Sequence, residues 1–144
     1  MPYIKIWIHL IWATKYRKHI LGRDCRIRLF SHIRENARSK GIHIDFINGY
    51  IDHVHALISL KNDQTISNVT QLIKGESSHW ANENLHTSDK FEWQDEYIAV
   101  SVSNSLVDVV REYIKNQESH HQIKCFSEEY NELIEICTGE NNKG

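Results

Sequence analysis

Residues 42–60 read IHIDFINGYIDHVHALISL, with an apolar stretch on each side of Asn48-Gly49. Positions 42–47 alternate apolar and more polar side chains, which is the period of a half-buried strand. Asn48-Gly49 is a dipeptide typical of tight turns. Residues 53–60 form a second, nearly continuous apolar run. The stretch therefore predicts an antiparallel hairpin that turns at Asn48-Gly49.

The flanking sequence extends this hairpin to the order β-α-β-β-α-β, followed by helices. Residues 3–13 alternate with apolar side chains on both faces, so this strand is predicted to be covered on both sides. The order is that of an α+β, ferredoxin-like (RRM-like) fold, with helices on one face of the sheet and C-terminal helices after it. A helix is predicted at 25–39, capped by Asp24 and ended by Gly41, and a second helix runs from Thr65 or Ser67 to about 84, interrupted at Gly75. A strand follows at 91–102, then helices at 104–123 and 127–137. All of these elements belong to one predicted domain spanning 1–144, with a frayed tail at 137–144.

Composition indicates a globular chain: 40% of its 144 residues are hydrophobic, 25% are charged, and the net charge is −2. No apolar run approaches the roughly 18 residues of a membrane span, and the alternating N-terminus is unlike a signal peptide. Three cysteines without CxxC spacing favour reduced thiols, so we expect a cytoplasmic location.

Basic residues concentrate at 15–40 and acidic ones from Glu118 onward. The basic cluster fits either phosphate binding or a solvated helix face.

His53 and His55 are the first candidates for chemistry. Residues two apart in a strand share a face, so both imidazoles would point the same way. Such a pair can ligate one metal ion, or it can be two polar side chains held by hydrogen bonds or solvent. A metal site would need a third ligand and a reacting group.

Tyr113 and Gln117 are candidates for those missing groups because they lie four residues apart on one helix face. An amide oxygen suits a hard divalent ion better than zinc. Tyrosine can form covalent intermediates, although its hydroxyl ordinarily titrates at about pH 10 and needs help from a metal or a base. In the alternative interpretation, Tyr113 packs on the buried face of its helix and Gln117 lies at the edge of that face.

Two stretches, DHVHALISL at 52–60 and YIKNQESHHQIKCFSEEY at 113–130, carry a family resemblance. The chain resembles the single-tyrosine HUH transposases of small bacterial insertion sequences, including their REP-associated relatives. HUH denotes His-hydrophobe-His, and a Tyr-x-x-x-Gln helix followed by a His pair completes the family pattern. The matching residues are His53, Val54 and His55, then Tyr113, Gln117, His120 and His121. The resemblance covers about residues 3–134.

This resemblance implies a DNA-nicking and joining transposase of the bacterial cytoplasm that acts on single-stranded DNA, often folded as terminal hairpins. His53, His55 and Gln117 would hold one Mg²⁺ or Mn²⁺ ion. Tyr113 would attack the scissile phosphate and form a 5′-phosphotyrosine link. The resemblance also implies a homodimer, in which the tyrosine helix of one subunit often serves the HUH pair of the other.

Five further residues are candidate DNA contacts. They are Lys15, Arg17, Lys18 and Lys74, for which surface solubility is an equal alternative, and His120, which shares roughly the helix face of Tyr113. Two other functions remain open at this point. The chain could be a domesticated or inactive single-stranded nucleic-acid-binding module of the same fold, or a metal-dependent phosphodiesterase without a covalent step.

Overall fold

The structure, a computed structural model, describes residues 2–87 and 89–117. Within that part of the chain, the strands and helices follow the predicted order β-α-β-β-α-β, and the first of the predicted C-terminal helices comes after the last strand. They are β1 (Ile6–Thr14), α1 (Arg23–Ser39), β2 (His43–Tyr50), β3 (His53–Leu60), α2 (Ile66–Asn84), β4 (Trp93–Val102) and α3 (Val107–Lys115). The strands form one antiparallel sheet in the order β2-β3-β1-β4. The α+β prediction is confirmed.

The sheet carries a core on each face. Alternate residues of β1 point to opposite sides, so Ile8 and Leu10 join the core beneath α1 and α2. Trp7 and Ile11 face the other way and pack with buried residues of α3, including Ile114. The prediction that the first strand is covered on both sides is therefore confirmed. Because α3 lies on the opposite face from α1 and α2, it can deliver a side chain to β1 and β3.

The hairpin turn does not lie at Asn48-Gly49, and this prediction was wrong. The strand β2 continues to Tyr50, which pairs with His53 and leaves Ile51 and Asp52 as the turn. Gly49 is needed for a different reason. A Cβ atom at this position would overlap the carbonyl oxygen of His53 and crowd the backbone of β3. Glycine at position 49 permits the close approach of β2 to β3. It is therefore required inside the strand and does not mark a turn.

Helix ends were predicted with mixed success. The prediction that Asp24 caps α1 was wrong, because Gly22 occupies the N-cap position. Asp24 lies in the first turn, where its charge favours the helix dipole. Gly41 has φ 74°, and the N–H groups of the residues at 41 and 42 close the end of α1, as predicted. Thr65 caps α2 by accepting a hydrogen bond from the N–H of residue 68. The helix runs through Gly75 without the predicted interruption.

The predicted helix at 127–137, the tail at 137–144 and His120 lie outside the described residues. In the portion that is described, no helix has both the length and the apolar character needed to cross a membrane.

Candidate active site

His53 and His55 lie at the start of β3, and both side chains are fully buried. They pair in register with Ala13 and Ile11 of β1. Their ring centroids lie 5.0 Å apart, which agrees with the prediction that they share one face of the strand. The pair is therefore held by a central strand of the sheet, a rigid support for a site.

Asp52 anchors the first of these imidazoles. Its Oδ1 lies 2.7 Å from Nδ1 of His53, and its Oδ2 lies 2.8 Å from Nη2 of Arg17. Burial alone would raise the pKa of Asp52, but His53 and Arg17 hold it below its usual value. An ionised carboxylate on Nδ1 fixes the tautomer in which Nδ1 carries the proton and Nε2 carries the lone pair. This is the arrangement that proteins use to orient a metal-binding histidine.

A third histidine supports His55. Nε2 of His9, on β1, lies 2.9 Å from Nδ1 of His55, and His9 is fully buried. When His55 donates from Nδ1 to His9, its Nε2 carries the lone pair, as in His53. No role for His9 or Asp52 was predicted from the sequence. A carboxylate directly before the first histidine was a usable signal for Asp52, whereas His9 depends on a strand register that local patterns do not reveal.

Tyr113 reaches this cluster from α3. Its ring centroid lies 5.9 Å from that of His55 and 6.1 Å from that of His9, and its side chain is 5% exposed. Tyr113 is buried, as the alternative interpretation expected, but it is buried against the histidines.

Gln117 follows Tyr113 by one helical turn and is fully buried. Its Nε2 donates to the backbone carbonyl of Tyr113 at 3.2 Å, while its Oε1 has no hydrogen-bond partner among the described residues. A buried carbonyl oxygen without a partner costs about 1–3 kcal/mol. Residues 2–87 and 89–117 contain no group of three His, Cys, Asp or Glu side chains suited to a metal ion. The unpaired Gln117 oxygen is therefore a candidate third ligand for the two imidazoles, and that donor set would fit a hard divalent ion.

Polar contacts also join α3 to β2. Arg111 donates from Nε and Nη2 to the two carboxylate oxygens of Asp45, at 2.6 and 2.8 Å. This hydrogen bonding holds the pKa of Asp45 below its usual value. Asn48 donates from Nδ2 to the carbonyls of Ile114 and Lys115 at the end of α3, at 3.0 and 3.1 Å. Both contacts flank the turn of helix that carries Tyr113.

The candidate DNA contacts are spread over both faces. Arg17 reaches the site through Asp52, while Lys15 and Lys18 pair with acidic side chains at 3.2 and 3.5 Å on the neighbouring surface. Lys74 lies on α2, on the opposite side of the sheet from the histidines, and its Nζ donates to two backbone carbonyls of β4. Four of the five candidates can thus be located, and one of them contacts a side chain that orients His53.

The family assignment comes from comparison with known proteins. The family model described as "Transposase IS200 like" matches residues 3–117, which include the histidine pair, Tyr113 and Gln117. The chain belongs to the IS200-like transposase family. The resemblance to single-tyrosine HUH transposases is confirmed.

Individual relatives agree with this assignment. The ISDra2 transposase TnpA of Deinococcus radiodurans is 28% identical over 116 residues, which cover 76% of this chain and 81% of the relative. A crystal structure from Deinococcus radiodurans, described as a candidate transposase, superposes with a TM-score of 0.65 and 26% identity over 81% of this chain and 93% of the other. A REP-associated tyrosine transposase bound to a REP hairpin gives a TM-score of 0.63 at 18% identity over 84% and 72% of the two chains, which supports the fold alone.

Proposed function

We propose that this IS200-like transposase cuts and rejoins single-stranded DNA through a 5′-phosphotyrosine intermediate on Tyr113. The supporting observation is that the tyrosine ring lies 5.9 Å from that of His55, whose ring lies 5.0 Å from that of His53, and that Gln117 is buried one helical turn after Tyr113. A buried tyrosine beside two oriented imidazoles fits a nucleophile better than it fits a simple binding residue.

The bond changes balance without an outside energy source. The phenolic oxygen of Tyr113 attacks phosphorus, the bond from phosphorus to the 3′ oxygen breaks, and that oxygen leaves as a free 3′-OH. The phenol loses one proton and the departing oxygen gains one. The phosphodiester is conserved in the link to tyrosine, so attack by a 3′-OH reverses the step and joins DNA ends. Hydrolysis by water would lose this reversibility.

The chain's own residues prepare the site. His53, His55 and Gln117 would hold one Mg²⁺ or Mn²⁺ ion, which supplies Lewis-acid polarisation of the scissile phosphate when bound. Asp52 and His9 hold the two imidazole rings in place.

The proposed substrate is single-stranded DNA carrying terminal hairpins. The hairpin bound by the REP-associated transposase supports this substrate by analogy. Lys15, Arg17, Lys18, Lys74 and His120 are proposed phosphate contacts, and each should contribute to the salt dependence of binding. DNA as the substrate also supports a location in the bacterial cytoplasm.

We also propose a homodimer. Among the described residues, β4 pairs only with β1, and we propose that its outer edge, beyond the carbonyls that accept from Lys74, pairs with a strand of a second copy. Same-chain supply of the tyrosine is favoured by the contacts of α3 with its own β2. Mixing a Tyr113→Phe chain with a His53→Ala/His55→Ala chain should therefore give no cleavage. Cleavage by the mixture would show that α3 serves the partner's histidines.

The proposed function is tested with labelled single-stranded DNA and Mg²⁺, followed by a denaturing gel. Wild-type protein should give a protein-linked band that disappears in Tyr113→Phe. A free cleaved strand without a protein-linked band would indicate a metal-dependent phosphodiesterase. Binding without cleavage would indicate the alternative, a nucleic-acid-binding module of the same fold.

A further inference from the structure

The turn between β1 and α1 has an unusual backbone. Two consecutive residues, Tyr16 and Arg17, have positive φ values of 58° and 55°. No other non-glycine residue in the described part of the chain has a positive φ. L-residues rarely adopt this conformation, and bulky ones avoid it, because Cβ crowds the backbone. A strained pair of this kind persists only where its surroundings hold it.

The surroundings do hold this turn at both ends. Before it, the N–H of Thr14 donates to the carbonyl of Asp52 at 2.9 Å, and the N–H of Lys15 donates to the carbonyl of Glu92 at 3.0 Å. After it, the carbonyl of Lys18 accepts from the hydroxyl of Thr14 at 2.8 Å. Hydrogen bonds on both sides of Tyr16 and Arg17 therefore hold the turn in place at the end of β1.

The strain does not serve to bury the Tyr16 side chain. Tyr16 is 76% exposed, more than any other large hydrophobic side chain of the described residues except Tyr3 near the N-terminus. Its ring has the Lys15 ammonium 5.6 Å from its centroid. The turn thus presents an aromatic ring, with a cation beside it, to solvent.

The turn stands next to the active site. Ala13 pairs with His53 across the β1–β3 ladder, so Tyr16 follows the strand residue opposite that histidine by three positions. Arg17 donates to Asp52, which in turn contacts His53. Single-stranded nucleic acids bind where aromatic rings stack on bases beside cationic side chains, and the ring of Tyr16 with the Lys15 ammonium next to it offers that combination.

We propose that Tyr16 is a base-stacking residue that positions single-stranded DNA beside the His53 end of the site. This inference rests on the proposed function, because it assumes a single-stranded DNA substrate. Rigid presentation lowers the entropy lost on binding, which gives the strained turn a reason to exist. The phenol ring contributes stacking, and its hydroxyl is not required.

The test compares Tyr16→Gly, Tyr16→Phe and, as a control, Tyr3→Ala, all in a Tyr113→Phe background so that only binding is measured. The probe is a fluorescein-labelled hairpin with a single-stranded thymidine extension, followed by anisotropy. Tyr16→Gly should raise the Kd about tenfold. Glycine also relieves the backbone strain, so the same variant should melt at an equal temperature or about 3 °C higher. Tyr16→Phe and Tyr3→Ala should bind like the parent.

An abasic site is then introduced at each position of the extension in turn. At one position, the loss caused by Tyr16→Gly should vanish, because the base that it stacks on is gone. An unchanged Kd for Tyr16→Gly, equal loss for Tyr16→Phe, a lowered melting temperature, or the absence of any coupled position would each overturn the inference. If wild type forms the Tyr113 adduct while Tyr16→Gly binds normally, only this inference fails. If wild type neither binds the probe nor forms an adduct, the proposed function fails with it.

Discussion

The ion pair between Asp45 and Arg111 can be used to measure how α3 is docked. It joins the helix that carries Tyr113 to β2 through two hydrogen bonds of 2.6 and 2.8 Å. We consider the single changes Asp45→Asn and Arg111→Gln and the double variant. Together with wild type, they form a cycle that isolates the coupling free energy between the two side chains.

The expected coupling is about 1 kcal/mol. The Arg111 side chain is 40% exposed and that of Asp45 is 17% exposed, so solvent screening limits the coupling to the range of surface ion pairs, about 0.2–1 kcal/mol. The two hydrogen bonds between the guanidinium and the carboxylate place the pair near the top of that range. In contrast, Val110 and Ile114 are fully buried, and each contributes about 1.5–3 kcal/mol. Apolar burial therefore holds α3 on the sheet, and the ion pair sets its orientation. Each single variant should lower the melting temperature by about 3 °C.

The assay is urea unfolding at pH 7, repeated at several protein concentrations and at acidic pH. If α3 docks on its own chain, the coupling should not depend on protein concentration. Arg111 holds the folded-state pKa of Asp45 below the ordinary 3.8. The stabilisation is therefore fully present above that ordinary value and is lost as the pH falls through the lower folded-state pKa.

Two results would show that Asp45 and Arg111 do not dock α3 on its own chain. A coupling indistinguishable from zero at pH 7 would mean that the pair does not form in solution. A coupling that grows with protein concentration would mean that α3 docks on a second copy. As a further check, Asp45→Arg combined with Arg111→Asp should recover part of the stability that each change removes alone.

Two further substitutions test the supports of the histidine pair. Gly49→Ala should lower the free energy of unfolding, measured in urea, by about 3 kcal/mol, because a Cβ would overlap the carbonyl of His53. Its control, Gly75→Ala, has open space around it and should raise the free energy of unfolding by about 0.5–1 kcal/mol. Equal effects of the two changes would contradict the tight strand contact. Asp52→Asn should weaken Mn²⁺ binding about 10- to 100-fold in a titration followed by electron paramagnetic resonance. Asp63→Asn is its control, and unchanged binding in Asp52→Asn would remove the proposed role of Asp52.

Much of the fold could be predicted because its signals are local. Alternation in residues 3–13 and a cap at Thr65 are visible without knowledge of tertiary contacts, and both agree with the structure. The turn was misplaced because Asn48-Gly49 has strong turn propensity. In the folded chain, Gly49 is required inside β2 by its contact with the backbone of β3, and a turn preference cannot reveal that requirement.

The site divides in the same way. The shared face of His53 and His55 follows from strand geometry, and the common face of Tyr113 and Gln117 follows from helix geometry. The contribution of His9 could not be predicted, because its contact with His55 depends on the β1–β3 register, which sets residues 46 positions apart side by side. Its position among apolar neighbours in the first strand looked like that of any inward-facing residue.

The central claim, covalent catalysis by Tyr113, is tested most directly by peptide mapping of the protein–DNA adduct. After incubation with single-stranded DNA and Mg²⁺, nuclease and protease digestion should leave a peptide that carries a 5′-linked nucleotide on Tyr113, measured by tandem mass spectrometry. Covalent catalysis should place this modification on Tyr113 in wild type and leave none in the Tyr113→Phe variant. A nucleotide on another residue, or cleaved DNA with an unmodified Tyr113 peptide throughout the reaction, would contradict it.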